Sequence, residues 1–155
     1  MPVNPELVGR AFPPTTPYLV GREKVREFAR AVFADAPSHT DVEAARALGF
    51  ADVVAPPTFA MVIQDLTLQQ LLSAPDSGIV LARTIHAEQR FAYTRPIVAG
   101  DELTAQLRIT GIRPMGAAAM VTSEAEITDA DGAHVVTATS VLLIGSDEEK
   151  AEAAA

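Results

Sequence analysis

Between Ala55 and Leu72 the chain reads APPTFAMVIQDLTLQQLL, and every residue from Phe59 to Ile63 is apolar. A helix with no polar face in its first turns has nothing to offer water, so this pattern predicts a helix buried on all sides. Pro56 and Pro57 stand where it begins, because a proline at the first helical position gives up only an amide that has no partner inside the helix. Further along the pattern becomes amphipathic. Leu66, Leu68, Leu71 and Leu72 stay apolar, while Gln64, Asp65, Thr67, Gln69 and Gln70 make the wetter side.

The chain before this helix is punctuated by Pro2, Pro5, Pro13, Pro14 and Pro17, which predict extended backbone with a short strand at Tyr18–Val20. From Arg22 to Phe33 the apolar residues Val25, Phe28, Ala29 and Val32 follow helical spacing. Arg22, Arg26 and Arg30 recur every fourth residue on the outer side, either as a solvated face or as a docking surface for an acidic partner. A loop, Ala34–His39, leads to a short helix with Thr40 and Glu43 in capping-box spacing and Gly49 at its end. Ser73–Gly78 reads as a turn.

From Ile79 the period falls from 3.6 to 2. Leu81, Ile85, Ala87, Gln89, Phe91 and Tyr93 share one face of a long strand, with His86, Glu88 and Arg90 on the other. Leu103, Ala105, Leu107 and Ile109 form a second, and Arg113–Gly116 turns the chain. Ala119, Val121, Ala125 and Ile127 give a third, and Val135–Ile144, after an Asp129–Gly132 turn, a fourth. Four long antiparallel strands and one buried helix predict an α+β roll in which the sheet curls around the helix.

At 155 residues the chain suits one domain, and without cysteine it has no disulfide, thiolate nucleophile or cysteine-metal site. The net charge of −8 argues against nucleic acid as a partner. Eleven of the twelve basic residues lie at or before Arg113, which leaves room for a local basic patch. Residues 146–155, SDEEKAEAAA, carry four acids and one lysine and read as a disordered tail after a single domain over 1–145. No apolar run approaches the ~18 residues of a membrane span and no signal peptide is evident, so a cytoplasmic protein is expected.

The patterns VGREKVREFARAV, HTDVEAARALGF, APPTF and RPIVAGDEL, in this order, resemble the hotdog-fold MaoC-like dehydratases over about residues 6 to 145. Their FAS1-like N-terminal branch, with the accessory A and C subunits of actinobacterial (3R)-hydroxyacyl-ACP dehydratase, is the nearer likeness. The resemblance implies reversible removal of water from a (3R)-3-hydroxyacyl thioester of CoA or acyl carrier protein, with no cofactor and no metal. That reaction needs an acid and a base together, and donors aimed at the thioester carbonyl.

In the catalytic branch the Asp and His come from a D-x-N-P-x-H loop and the donor is a backbone amide at the helix start. Here the loop reads Ala34-Asp35-Ala36-Pro37-Ser38-His39, so His39 matches while Ala34 stands at the aspartate position. Asp35, one residue late, and nearby Asp41 are the candidate carboxylates. At the helix start Pro57 has no amide hydrogen, and Thr58 supplies one if the alignment slips by a residue. The resemblance therefore implies a substrate-binding, catalytically degenerate half, with Pro57, Thr58, Phe59, Val62, Ile63 and Leu66 near the acyl path. For each of the last four, plain core is the favoured reading over acyl contact. It also implies a dimer, with a second copy or with a MaoC-like subunit, and a carrier-protein dock on Arg22, Arg26 and Arg30. A non-catalytic acyl-thioester binding or scaffold protein is the alternative, and a hotdog thioesterase a weaker one.

Overall fold

A computed structural model describes residues 2–146. Most of the segment expected to be a disordered acidic tail, from residue 147 on, lies outside the described residues. The chain enters its central helix, α3 (Ala60–Ser73), through a 3₁₀ turn at Pro57–Phe59, as the paired prolines predict. Around it lies one antiparallel sheet of β1 (Tyr18–Leu19), β2 (Thr84–Tyr93), β3 (Glu102–Met115), β4 (Ala118–Thr128) and β5 (His134–Ile144). The strand order is β1-β3-β4-β5-β2, which leaves β2 at a free edge. Two further helices, α1 (Arg22–Ala31) and α2 (Val42–Ala47), precede the central one.

Strict alternation puts Leu103, Ala105, Leu107 and Ile109 of β3 and Ala119, Val121, Ala125 and Ile127 of β4 into the core, all fully buried. Two apolar clusters result. One gathers Phe59, Ala60 and Ile63 with Leu103, Ile127 and Val136 around the first half of α3. The other gathers Leu68 and Leu71 with Leu107, Ile109, Val121 and Leu142 around the second half.

Gln64 and Thr67, expected on the wetter side of the helix, are both completely buried. Each is tolerated because its polar atoms are spoken for. Thr67 Oγ1 donates to the Gln64 carbonyl at 2.7 Å. Gln64 Nε2 donates to Ser140 Oγ at 2.8 Å, Ser140 Oγ donates to Gln89 Oε1 at 2.5 Å, and Gln89 Nε2 donates to Gln64 Oε1 at 2.8 Å. This closed ring of three side chains ties α3 to β5 and to the edge strand β2. Helical periodicity sees only that an amide interrupts the apolar run, not that two strands arrive to satisfy it.

The face assignment on β2 changes for a related reason. Ala87 is a bulge: His86 pairs with Leu142 and Glu88 with Val141, leaving Ala87 without a partner. One extra residue reverses the alternation. His86 therefore joins Gln89, Phe91 and Tyr93 on the helix side, with its Nε2 3.1 Å from Gln89 Oε1. Ile85 turns outward and is 61% exposed, and Leu81 sits exposed in a 3₁₀ turn, Leu81–Arg83, before the strand begins. A second bulge lies in β3 between Ile109 and Gly111, and that strand continues to Met115, so the reversal falls at Gly116 and Ala117 rather than across Arg113–Gly116.

Three local corrections concern the helices. Helix α1 stops at Ala31, and Phe33 takes φ +57° with 91% of its surface exposed. The N-cap of α2 is Asp41, whose carboxylate accepts from the Glu43 and Ala44 amides at 2.8 and 3.3 Å, so Thr40 does not cap. Gly49 ends α2 at φ +90° as expected. The arginine ridge is largely neutralised: Arg22 holds Asp52 through two bonds of 3.0 and 2.6 Å, and Arg26 pairs with Glu23 and donates to the Thr40 carbonyl at 2.8 Å. Only Arg30 of the three makes no ion pair among the described residues.

Replacing Gln64 by Leu leaves the buried Ser140 and the half-buried Gln89 short of partners, and a loss of about 1–3 kcal/mol is expected in urea unfolding. The triple change of Gln64 and Gln89 to Leu with Ser140→Ala removes every stranded group and should recover most of that loss.

Candidate active site

The segment ahead of α3 carries the site. Val53 to Ala55 run beside the loop after β2, with Ala55 N donating to the Ile97 carbonyl at 2.8 Å and Ala99 N to Val53 at 3.0 Å. Asp52 fixes the start of this segment against α1. Its carboxyl is held down to a pKa of about 2, chiefly by the hydrogen bond from Arg22 and further by the Val53 amide, against the opposing effect of burial. The loop bearing His39 folds as a 3₁₀ turn, Pro37–His39, and is pinned twice to Val54. Val54 N donates to the Ser38 carbonyl at 2.9 Å, and His39 Nδ1 lies 2.7 Å from the Val54 carbonyl. A carbonyl can only accept, so Nδ1 carries the hydrogen and the neutral ring keeps Nε2 as a bare acceptor.

His39 borders a pocket of about 300 Å³ whose walls include Val54, Ala55, Pro57, Tyr93 and Ile97. Tyr93 spans it toward the helix start. Its hydroxyl donates to the Pro57 carbonyl at 2.5 Å, and burial pushes the phenol up to about 12 against the lowering effect of the Ala60 amide. That amide, the first of α3, bonds back to the Thr58 carbonyl. Arg95, at the rim, is locked between Asp101 at 2.8 and 3.1 Å and Asp129 at 3.2 Å. The Ala133 amide, then Arg95, holds the Asp129 carboxyl below the usual carboxylate range.

Of the residues singled out from the sequence, His39 and Pro57 come together in this pocket. Asp35 is exposed, Asp41 is used as the cap of α2, and no carboxylate lines the pocket among the described residues. Thr58 is exposed and lies outside the pocket lining. Phe59 and Ile63 are sealed in the core, whereas Val62 and Leu66 keep partial exposure. Tyr93 was missed as a site residue. Its only signal in the sequence was its place on the inward face of β2, and nothing there says that its hydroxyl reaches α3. Among the described residues no cluster of His, Asp and Glu could hold a metal ion, and no helix is long and apolar enough to cross a membrane.

The sequence profile of the FAS1-like dehydratase domain region matches residues 6–138. The chain belongs to this family. It is 59% identical over 148 residues to a UPF0336 protein of Leifsonia xyli subsp. xyli, covering 96% of this chain and 99% of that one. Among solved structures it is similar to the C-terminally truncated HadBC (3R-hydroxyacyl-ACP dehydratase) complex of Mycobacterium tuberculosis, with a TM-score of 0.79 and 34% identity over 88% of this chain and 96% of that chain. It is also similar to a MaoC-like dehydratase, with a TM-score of 0.84 and 37% identity. That match covers 92% of this chain but 43% of the other, which continues well beyond it. The fold is the hotdog, the expectation drawn from the resemblance.

The Tyr93 hydroxyl bond supports a test by pH. Tyr93→Phe should lower stability by about 0.5–1.5 kcal/mol at neutral pH. Because the folded phenol ionises above its ordinary value of 10.0, the neutral form is the one the fold favours. The advantage of the wild type is therefore fully present below pH 10 and should shrink as pH rises toward 12, read from denaturation midpoints of both proteins.

Proposed function

We propose that this chain is the substrate-binding, catalytically degenerate half of a two-subunit hydro-lyase acting on (3R)-3-hydroxyacyl and trans-2-enoyl thioesters of CoA or acyl carrier protein. The observation that carries the reading is the pocket itself: it holds a histidine but, among the described residues, no carboxylate. Hydration needs a group that activates water beside the one that protonates C2, and stabilised negative charge on the thioester oxygen. His39 supplies one acid–base group, and no carboxylate to act as a second lines the pocket among the described residues.

The missing groups belong, in this reading, to a MaoC-like partner. The free edge of β2 is the place for it, since a strand paired on one side only, with exposed Ile85 and the charged pair Glu88 and Arg90, invites a second sheet. Two likenesses support the pairing: HadBC is a complex of two subunits, and the MaoC-like dehydratase extends beyond the part that matches this chain. Pro57, Val62 and Leu66 keep surface from which to guide an acyl chain. With two of its three arginines engaged, α1 offers a carrier protein Arg30 rather than a ridge.

The purified chain is expected to leave crotonyl-CoA unhydrated, followed through the enoyl thioester absorbance, and to support hydration when co-expressed with a MaoC-like hotdog subunit. Hydration by the chain alone that disappears in His39→Ala would refute the degenerate-half reading.

A further inference from the structure

A pocket stripped of its carboxylate still holds two groups of complementary kind. His39 presents a bare Nε2, its tautomer set by the Val54 carbonyl. Tyr93, on the same pocket, presents a hydroxyl hydrogen that is given to the Pro57 carbonyl when no ligand is bound. One is a base and the other a neutral hydrogen-bond donor, the pair that enolisation of a carbonyl compound requires. The walls between them, Val54, Ala55 and Ile97, are apolar.

We infer that the His39–Tyr93 pocket is an isomerase site, shifting a proton along an acyl thioester so that a 3-enoyl form becomes the conjugated 2-enoyl form without addition of water. The inference rests on the acyl-thioester reading above. The Tyr93 hydroxyl turns from Pro57 to the thioester oxygen. Nε2 removes a proton from C2, and the electron pair of that C–H bond moves into the C1–C2 bond as charge gathers on the oxygen, giving a dienolate. The charge then flows back, a C2=C3 double bond forms, the C3=C4 pair takes a proton at C4 from Nε2–H, and the ring is neutral again. One proton leaves and one returns, so no oxidant, reductant or water is consumed. Conjugation makes the 2-enoyl product the stable one, and it is the form a hydratase takes up.

A single base serves both steps, since C2 and C4 lie on one allylic unit. The phenol remains a donor throughout because burial keeps it protonated well above neutral pH.

The test uses the full chain with 3-hexenoyl-CoA, read by the rise of conjugated enoyl thioester absorbance and, in D₂O, by deuterium at C4, with hexanoyl-CoA as the binding probe in calorimetry. Turnover is expected in the wild type, reduced about 100-fold or more in His39→Ala and by a similar factor in Tyr93→Phe. His39→Gln, which keeps a donor for the Val54 carbonyl, stands in should the alanine variant not fold, and is expected to be as inactive. Binding of hexanoyl-CoA with neither isomer nor deuterium uptake overturns the isomerase inference and leaves the binding-half reading in place. Absence of both binding and turnover overturns the two together. Isomerisation undiminished in a folded His39 variant overturns the assignment of the base.

Discussion

A helix that is apolar on every side in its first turns has to be wrapped, and the architecture follows from that constraint. No single flat surface can cover Phe59, Ala60 and Ile63 together with Leu68 and Leu71, so the sheet curls and brings β3, β4 and β5 against successive turns of α3. The residues that break the apolar run, Gln64 and Thr67, fall where the two clusters meet and are satisfied internally. A buried polar ring of this kind costs stability unless each member finds its partner, and for that reason it also defines a register. Gln64 meets Ser140 and Gln89 in one setting of helix and strands, and a slip of β2 by one residue would turn Gln89 outward.

The same edge strand links interior and site. β2 contributes Gln89 to the ring and Tyr93 to the pocket, four residues apart on one face. It is also the strand left open at the sheet margin. A partner that pairs with this edge would therefore set, through one rigid element, both the packing of α3 and the position of the Tyr93 hydroxyl at its N-terminus. In the pocket, chemistry is controlled by what lies within reach of His39. There a ring nitrogen and the Tyr93 hydroxyl share one pocket that no carboxylate lines among the described residues.

The extent of the candidate site legible in the sequence varied with the range of the interaction. His39 and Pro57 were singled out through the resemblance of their local motifs to the dehydratase family, and both line the pocket. Asp41 looked equally plausible as an acid because a capping residue and a catalytic one share the same side chain, and only the amides of Glu43 and Ala44 settle its role. Arg22 looked free because its partner Asp52 lies on another segment of the chain, whereas the Glu23 partner of Arg26 stands one turn away on the same helix.

The chain's own pattern of apolar and polar residues determined the central helix, its proline entry, the four long strands and the alternation that buries Leu103 to Ile109, because periodicity is a local property that burial selects directly. Tertiary structure alone decided the Ala87 bulge, the face taken by the exposed His86, the ring around Gln64, the pairing of Arg22 with Asp52 and the reach of Tyr93 to Pro57. Each of these depends on a partner distant in sequence, and a hydrogen bond or a register shift leaves no periodic trace in either of the segments it joins.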